Sequence, residues 1–324
     1  MFEHHFPHPI HIQEVGPRDG FQIEDRFVPT ADKIELIDAL GLCGLAKIEV
    51  TSFTSPKAIP ALADADEVMR GIRRVPGVVY TALVPNLRGA ERALAAGTDE
   101  LNLVVSASET HNLLNLRMTR EQSVARLLEV VDLVKGTGAA LNVSISTSFG
   151  CPMEGAVPEA TVLGLAERFL ARGVAGITLC DTTGMAHPRQ VASLCAAFRA
   201  RFPEAELTAH LHNTRGMGLA NALAALEAGV VRFDASLGGL GGCPYAPGAT
   251  GNVCTEDLVH MLQAMGFPVA VDLPRLLAAA RSLPELVGHD VPGQVMHAGR
   301  SQDLHPAPAS LEAIRARAEA QAQA

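Results

Sequence analysis

Eight short apolar runs, each followed by a longer amphipathic stretch, constrain the fold of this 324-residue chain more than any other feature. The runs span residues 11–18, 47–53, 78–84, 100–106, 141–147, 176–182, 207–213 and 232–237. Runs this short, bounded by turn residues, read as buried strands, and the stretches between them carry helical periodicity. Residues 119–135 show it most clearly: Thr119 and Gln122 make a capping box, and Val124, Leu127, Leu128 and Val131 recur on one face. Gly97, Gly138, Gly173 and Gly229 fall where helices should end. A strand followed by a helix, eight times over, forces parallel pairing through right-handed crossovers and predicts a closed (β/α)8 TIM barrel. The first run leads into VGPRDG, with an Arg-Asp pair where a dinucleotide fold needs phosphate-binding glycines.

The length suits one barrel with additions. The expected organisation is a tail over residues 1–10, a catalytic barrel with C-terminal helices (254–266 and 272–287) over 11–290, and an extension over 291–324, Ala-rich and charged from about 308. With 48% hydrophobic residues, 4% aromatic and no Trp, the core is expected to be aliphatic and closely layered. A net charge of −9 disfavours nucleic acid and anionic membranes as partners. There is no apolar run long enough for a membrane span. The cysteines at 43, 151, 180, 195, 243 and 254 lack C-x-x-C spacing and are expected to be free thiols in a reducing compartment. The opening MFEHHFPHPI fits neither a secretory signal nor a transit sequence, which predicts a cytoplasmic protein; His4, His5, His8 and His11 could bind a metal but read better as a mobile tail.

In such barrels chemistry sits at the C-terminal ends of the strands. Here those ends are polar: Arg18-Asp19, Glu49, Asp181 and His210-Leu211-His212. A period of two points His210 and His212 to the same side, which is either metal-ligand spacing or a pair of hydrogen-bonded strand-end histidines. Asp19 can add an anionic oxygen. Two imidazoles and a carboxylate without thiolate suit Mg²⁺ or Mn²⁺ with positions open to substrate oxygens. Asn252 supplies either a further amide oxygen or a turn. Arg18 is either a strand-end ion pair or a fixed cation facing a developing oxyanion, with Glu49 and Asp181 as orienting acceptors or as plain buried pairs. Residues 238–252, GGLGGCPYAPGATGN, combine glycine hinges with prolines around Cys243 and read as an active-site lid.

VGPRDGFQ (15–22), IEVTSFTSPK (48–57), HLHNTRGMGLAN (210–221) and the Cys243 loop together resemble the 3-hydroxy-3-methylglutaryl-CoA lyase family over residues 11–287. The resemblance implies a CoA thioester substrate cleaved between C2 and C3, and a homo-oligomer of two or four chains. It also implies Asp19, His210, His212 and Asn252 as metal ligands, Arg18 as catalytic arginine, Cys243 as lid cysteine, and Glu49, Asp181 and Glu256 as supporting acids, with His210 a candidate proton acceptor. The chain departs from the family pattern at Asn142-Val143-Ser144, where the family has Arg-Gly-Tyr, and at Asp25, Met153, Asn213 and the stretch 106–112. None of these removes a ligand, but they leave open a related 3-hydroxyacyl-CoA as substrate. An acyl-CoA condensing enzyme of the same superfamily and a silent metal-binding scaffold are the rival readings.

Overall fold

The computed structural model describes residues 9–242 and 251–322. Eight parallel strands close into a barrel in sequence order: β1 (His11–Glu14), β2 (Lys47–Ser52), β3 (Val79–Leu83), β4 (Glu100–Ser106), β5 (Ala140–Ser146), β6 (Gly176–Asp181), β7 (Glu206–Leu211) and β8 (Arg232–Ala235). Their crossovers contain α1 (Thr30–Gly41), α2 (Ala65–Gly71), α3 (Leu87–Ala95), α4 (Glu109–Leu116), α5 (Arg120–Val134), α6 (Glu159–Leu170), α7 (Pro188–Arg201) and α8 (Gly218–Glu227). Beyond the barrel lie α9 (Thr255–Ala264), α10 (Leu273–Ala280), α11 (Leu283–Val287), α12 (Val295–Ala298) and α13 (Leu311–Ala322). Among the described residues no helix is long and apolar enough to cross a membrane.

Local signals act as the sequence leads one to expect. Thr119 caps α5, and its box with Gln122 is closed in both directions. Gly97, Gly173 and Gly229 take positive φ just past helix ends, whereas Gly138, also at positive φ, lies in the bend that leads into β5. The described cysteines 43, 151, 180, 195 and 254 are buried free thiols.

Two expectations are corrected. The first strand ends at Glu14, four residues before 18, because Pro17 has no N–H to offer a ladder. The chain instead winds into a wide helical turn over Gly16–Gly20, with the N–H groups of Arg18 and Asp19 both donating to Val15 O at 3.1 and 2.7 Å. This matters to the site. Adjacent residues of a strand point to opposite faces, whereas a helical turn lets the side chains of Arg18 and Asp19 both enter the mouth.

The second correction concerns the core. Aliphatic packing lies between sheet and helices, where Leu101, Leu103, Val105, Val143, Ile145, Ile177 and Leu179 meet residues such as Val124, Leu127, Val131 and Phe198. Inside the barrel the alternate positions are polar: Glu49, Thr81, Asn102, Asn142, Thr178 and Asp234 line one small internal cavity. Composition counts apolar residues but carries no information about which face of a strand they occupy.

Candidate active site

A cavity of about 280 Å³ opens at the C-terminal ends of the strands. Its polar wall holds Arg18, Asp19, Ser144, Thr182, His210 and His212, and its apolar wall includes Leu83, Pro85, Val104 and Leu116. Asp19, His210 and His212 are buried and present three donor atoms to one point. His210 Nε2 and His212 Nε2 are 3.2 Å apart, and Asp19 Oδ2 lies 3.9 and 4.0 Å from them. A point equidistant from these atoms lies about 2.2 Å from each, the length of divalent-metal bonds to imidazole nitrogen and carboxylate oxygen.

The surroundings fix these groups in ligand form. Asp234, on the inward phase of β8, accepts from His210 Nδ1 at 3.1 Å. A carboxylate has no proton to give, so Nδ1 carries the hydrogen and the Nε2 lone pair faces Asp19. Burial works against a charged His210, but Asp234, by hydrogen bond and charge, and Asp19 outweigh it and raise its pKa. For Asp19, burial would raise the pKa; Arg18, the two histidines and the Asn252 amide more than offset this and hold it below the ordinary carboxylate value. Asp19 Oδ1 is occupied by Arg18 Nη1 at 2.5 Å and Gln22 Nε2 at 2.7 Å, which leaves Oδ2 for the centre.

Asn252 returns to the site beside His212 through an isolated bridge. Its Nδ2 donates to Asp19 Oδ2 at 2.7 Å, while its Oδ1 is buried with no hydrogen-bond partner among the described residues. Buried amide oxygens are rarely left so, and a cation is the partner such a cluster suits. Gly241, at φ 108°, makes room: a Cβ there would stand 2.5 Å from Asn252 Nδ2 and 3.3 Å from Asp19 Oδ2. The residues present therefore fit a divalent ion, held by Asp19, His210 and His212 with Asn252 beside them.

Arg18 lies against this cluster, its Nε and Nη2 both 2.5 Å from Glu49 Oε2. Burial disfavours the charged guanidinium, but Glu49 and Asp19 keep its pKa above normal. Glu49 is itself raised by burial against the opposing pull of Arg18 and Asn102.

The other sequence-nominated acids stand apart from the cavity wall. Asp181 falls on the outward phase of β6, between Cys180 and Thr182, which line the cavity. Its Oδ1 accepts from Met185 N and Ala186 N at 2.8 and 3.1 Å, and burial lifts its pKa to about 7. Glu256 sits in the first turn of α9 and accepts from Gly238 N at 3.1 and 3.2 Å, with a pKa pushed by burial to about 7. It anchors the turn from which the Gly-rich loop departs. Cys243 lies outside the described residues. Of the departures, Ser144 lines the cavity, Asn142 is buried below it, and Asp25, Met153 and Asn213 are exposed.

Sequence reading missed Asp234, Gln22 and Asn102. The signal was available for Asp234 and Asn102: each is a polar residue flanked on both sides by apolar ones within a strand run, on the phase shared by the histidine pair.

The HMGL-like family model matches residues 9–283. The chain belongs to the HMGL-like family. Hydroxymethylglutaryl-CoA lyase of Bacillus subtilis is 45% identical, covering 91% of this chain and 99% of its own. A Chloroflexus aurantiacus relative, (R)-citramalyl-CoA lyase, is 41% identical over 90% of this chain and 95% of its own. An HMG-CoA lyase structure from Acinetobacter baumannii, in complex with coenzyme A and 3-methylmalate, superposes with TM-score 0.90 at 51% identity, covering 94% and 100% of the two chains. With relatives of this kind over nearly its whole length, the chain is a carbon–carbon lyase, and its buried donor cluster could hold a metal ion.

Proposed function

We propose that this lyase cleaves the C2–C3 bond of a 3-hydroxy-3-methylglutaryl-type CoA thioester, giving acetyl-CoA and a 3-keto acid, acetoacetate for the parent compound. The observation that carries the reading is the convergence of Asp19, His210 and His212 on one point beside the Arg18 guanidinium, in one cavity. A divalent cation held there supplies Lewis acidity toward the substrate's hydroxyl and carboxylate oxygens. The protein's own groups do the rest. The C3 hydroxyl loses its proton to a base at the mouth, and the C3–O bond becomes a carbonyl. The C2–C3 electron pair moves onto C2 and the thioester oxygen as an enolate. Arg18, already charged and clamped by two carboxylates, faces that developing negative charge; one such fixed donor contributes on the order of 3 kcal/mol. Cys243 then protonates the enolate carbon, so one proton leaves the hydroxyl and one arrives at C2.

The same reading takes Mg²⁺ or Mn²⁺ as the ion, in keeping with a donor set of nitrogen and oxygen without sulfur, and a cytoplasmic homo-oligomer of two or four chains. The relative named for citramalyl-CoA, together with Ser144 in the cavity wall, favours testing several acyl groups and not one.

Purified protein with Mg²⁺ or Mn²⁺ is expected to release acetyl-CoA from at least one member of a panel of 3-hydroxyacyl-CoA thioesters, and to stop in excess EDTA. Full turnover in EDTA removes the metal from the reaction, and silence across the panel removes the lyase assignment. Replacing the proton donor, Cys243→Ala, is expected to lower kcat by about 10² to 10⁴ and leave metal affinity intact. Unchanged turnover would take Cys243 out of the mechanism.

A further inference from the structure

Beneath the mouth, the barrel holds a hydrogen-bonded chain of side chains where such interiors usually carry branched apolar residues. Asn102 on β4 and Asn142 on β5 are register partners, both buried. Asn102 Nδ2 donates to Glu49 Oε1 at 2.8 Å. Its Oδ1 accepts from Asn142 Nδ2 and from Ser144 Oγ, each at 2.9 Å. Thr178 Oγ1 holds Asn142 Nδ2 from the far side, also at 2.9 Å.

The directions in this chain are forced. The Glu49 carboxylate offers only acceptors, so the Asn102 amide must turn its NH₂ toward Glu49 and its oxygen toward the two donors on β5. Glu49 spends its other oxygen, Oε2, entirely on Arg18. A carboxylate bound through one oxygen is free to swing about its own axis, and the guanidinium edge seated on it would shift, pivoting on the bond from Nη1 to Asp19 Oδ1. Pinning Oε1 removes that freedom. The pin ends at Ser144, whose hydroxyl lines the substrate cavity.

We propose that Asn102 is a positioning residue for the lyase reaction: by fixing Glu49 Oε1 it sets the angle at which Arg18 meets the substrate, and Ser144 ties that setting to the cavity floor. The energetics favour a role beyond filling space. An apolar set of the same shape would keep a barrel core at little cost, whereas removing one member of a buried network strands its partner. The inference rests on the lyase reading, and its test separates the two.

The experiment is a double-mutant cycle of steady-state kinetics on wild type, Asn102→Leu, Glu49→Gln and the double variant, using a thioester that the wild type cleaves. Asn102→Leu is expected to lower kcat by about 10- to 100-fold, the scale of a misplaced catalytic group. KM and the dissociation constant for Mn²⁺ should stay within about threefold of wild type. In the Glu49→Gln background the same substitution should cost less than about twofold, because its effect passes through Glu49. A kcat near wild type, an equal loss in both backgrounds, or a parallel loss of metal affinity overturns the proposal. If Asn102→Leu does not fold, Asn102→Ser, which leaves room for a water, replaces it in the same cycle. A wild type that cleaves no thioester overturns the lyase reading and this proposal together; an active wild type indifferent to Asn102 overturns this proposal alone.

Discussion

At the scale of single residues, the site depends on which nitrogen of His210 carries a proton. Asp234 decides it by accepting from Nδ1 at 3.1 Å, so Nε2 presents its lone pair toward Asp19 and His212. Asp234→Ala removes that decision: the imidazole can then protonate at Nε2 and rotate, and it loses the carboxylate that raises its basicity. Metal affinity is expected to fall by about 10- to 100-fold, with activity partly recovered in excess Mn²⁺. Titration of the metal into both proteins, followed calorimetrically, checks it; equal affinities would mean that His210 is oriented by something other than Asp234.

At the scale of elements, three chain segments must meet for the mouth to exist, and Glu14 is where they meet. Its Oε1 accepts from Gly16 N at 2.7 Å and Leu237 N at 2.8 Å, and its Oε2 from Thr255 Oγ1 at 2.7 Å. The turn carrying Arg18 and Asp19, the turn after β8 and the start of α9 are thus tied to one carboxyl, whose pKa burial lifts to about 8. Glu14→Gln keeps the shape and is expected to change stability by less than about 1 kcal/mol, whereas Glu14→Ala strands three donors and should cost about 2 to 4 kcal/mol. Urea denaturation at pH 7 distinguishes them, and equal losses would show that the bonds at Glu14 contribute little. The positions of the strands were legible from short apolar runs, and the pairing of His210 with His212 from a period of two. The convergence of Arg18 and Asp19 was not, because it depends on Gly16 and Pro17 turning the chain out of the strand. Nor was the place of Asp181, since a polar residue at a strand end reads alike on either phase until its neighbours Cys180 and Thr182 are seen lining the cavity. Asn102 was readable in principle, as the inward position of an apolar run, but its use depends on Glu49, on a different strand.

At the scale of the whole molecule, the buried carboxyls set how stability responds to pH. Burial raises Glu14 to about 8 and Asp181 and Glu256 to about 7, so each binds its proton more tightly in the folded state than in the unfolded chain. Their contribution is fully present below the unfolded carboxyl value, about 4 to 4.5, and is lost as pH rises through 7 to 8. Other carboxylates act in the opposite sense. Asp303 is held down to about 2 by Arg300, and Asp132 and Glu121 are lowered by hydrogen bonds to Lys135 and Arg172 and to Arg168. What these contribute is present above the ordinary carboxyl value and lost as pH falls through their folded pKa. The two sets together place the stability maximum on the acid side of neutrality, at about pH 5 to 6.5. Urea midpoints measured from pH 4 to 9 in EDTA, so that metal binding does not titrate alongside, are expected to fall between pH 6 and 8.5. In the Glu14→Gln, Glu256→Gln double variant, which has no proton to lose at either position, that alkaline fall should be clearly smaller. A midpoint that holds level or rises from pH 6 to 8.5 would mean that these carboxyls are already ionised in the folded barrel, with their backbone and hydroxyl donors outweighing the cost of burial.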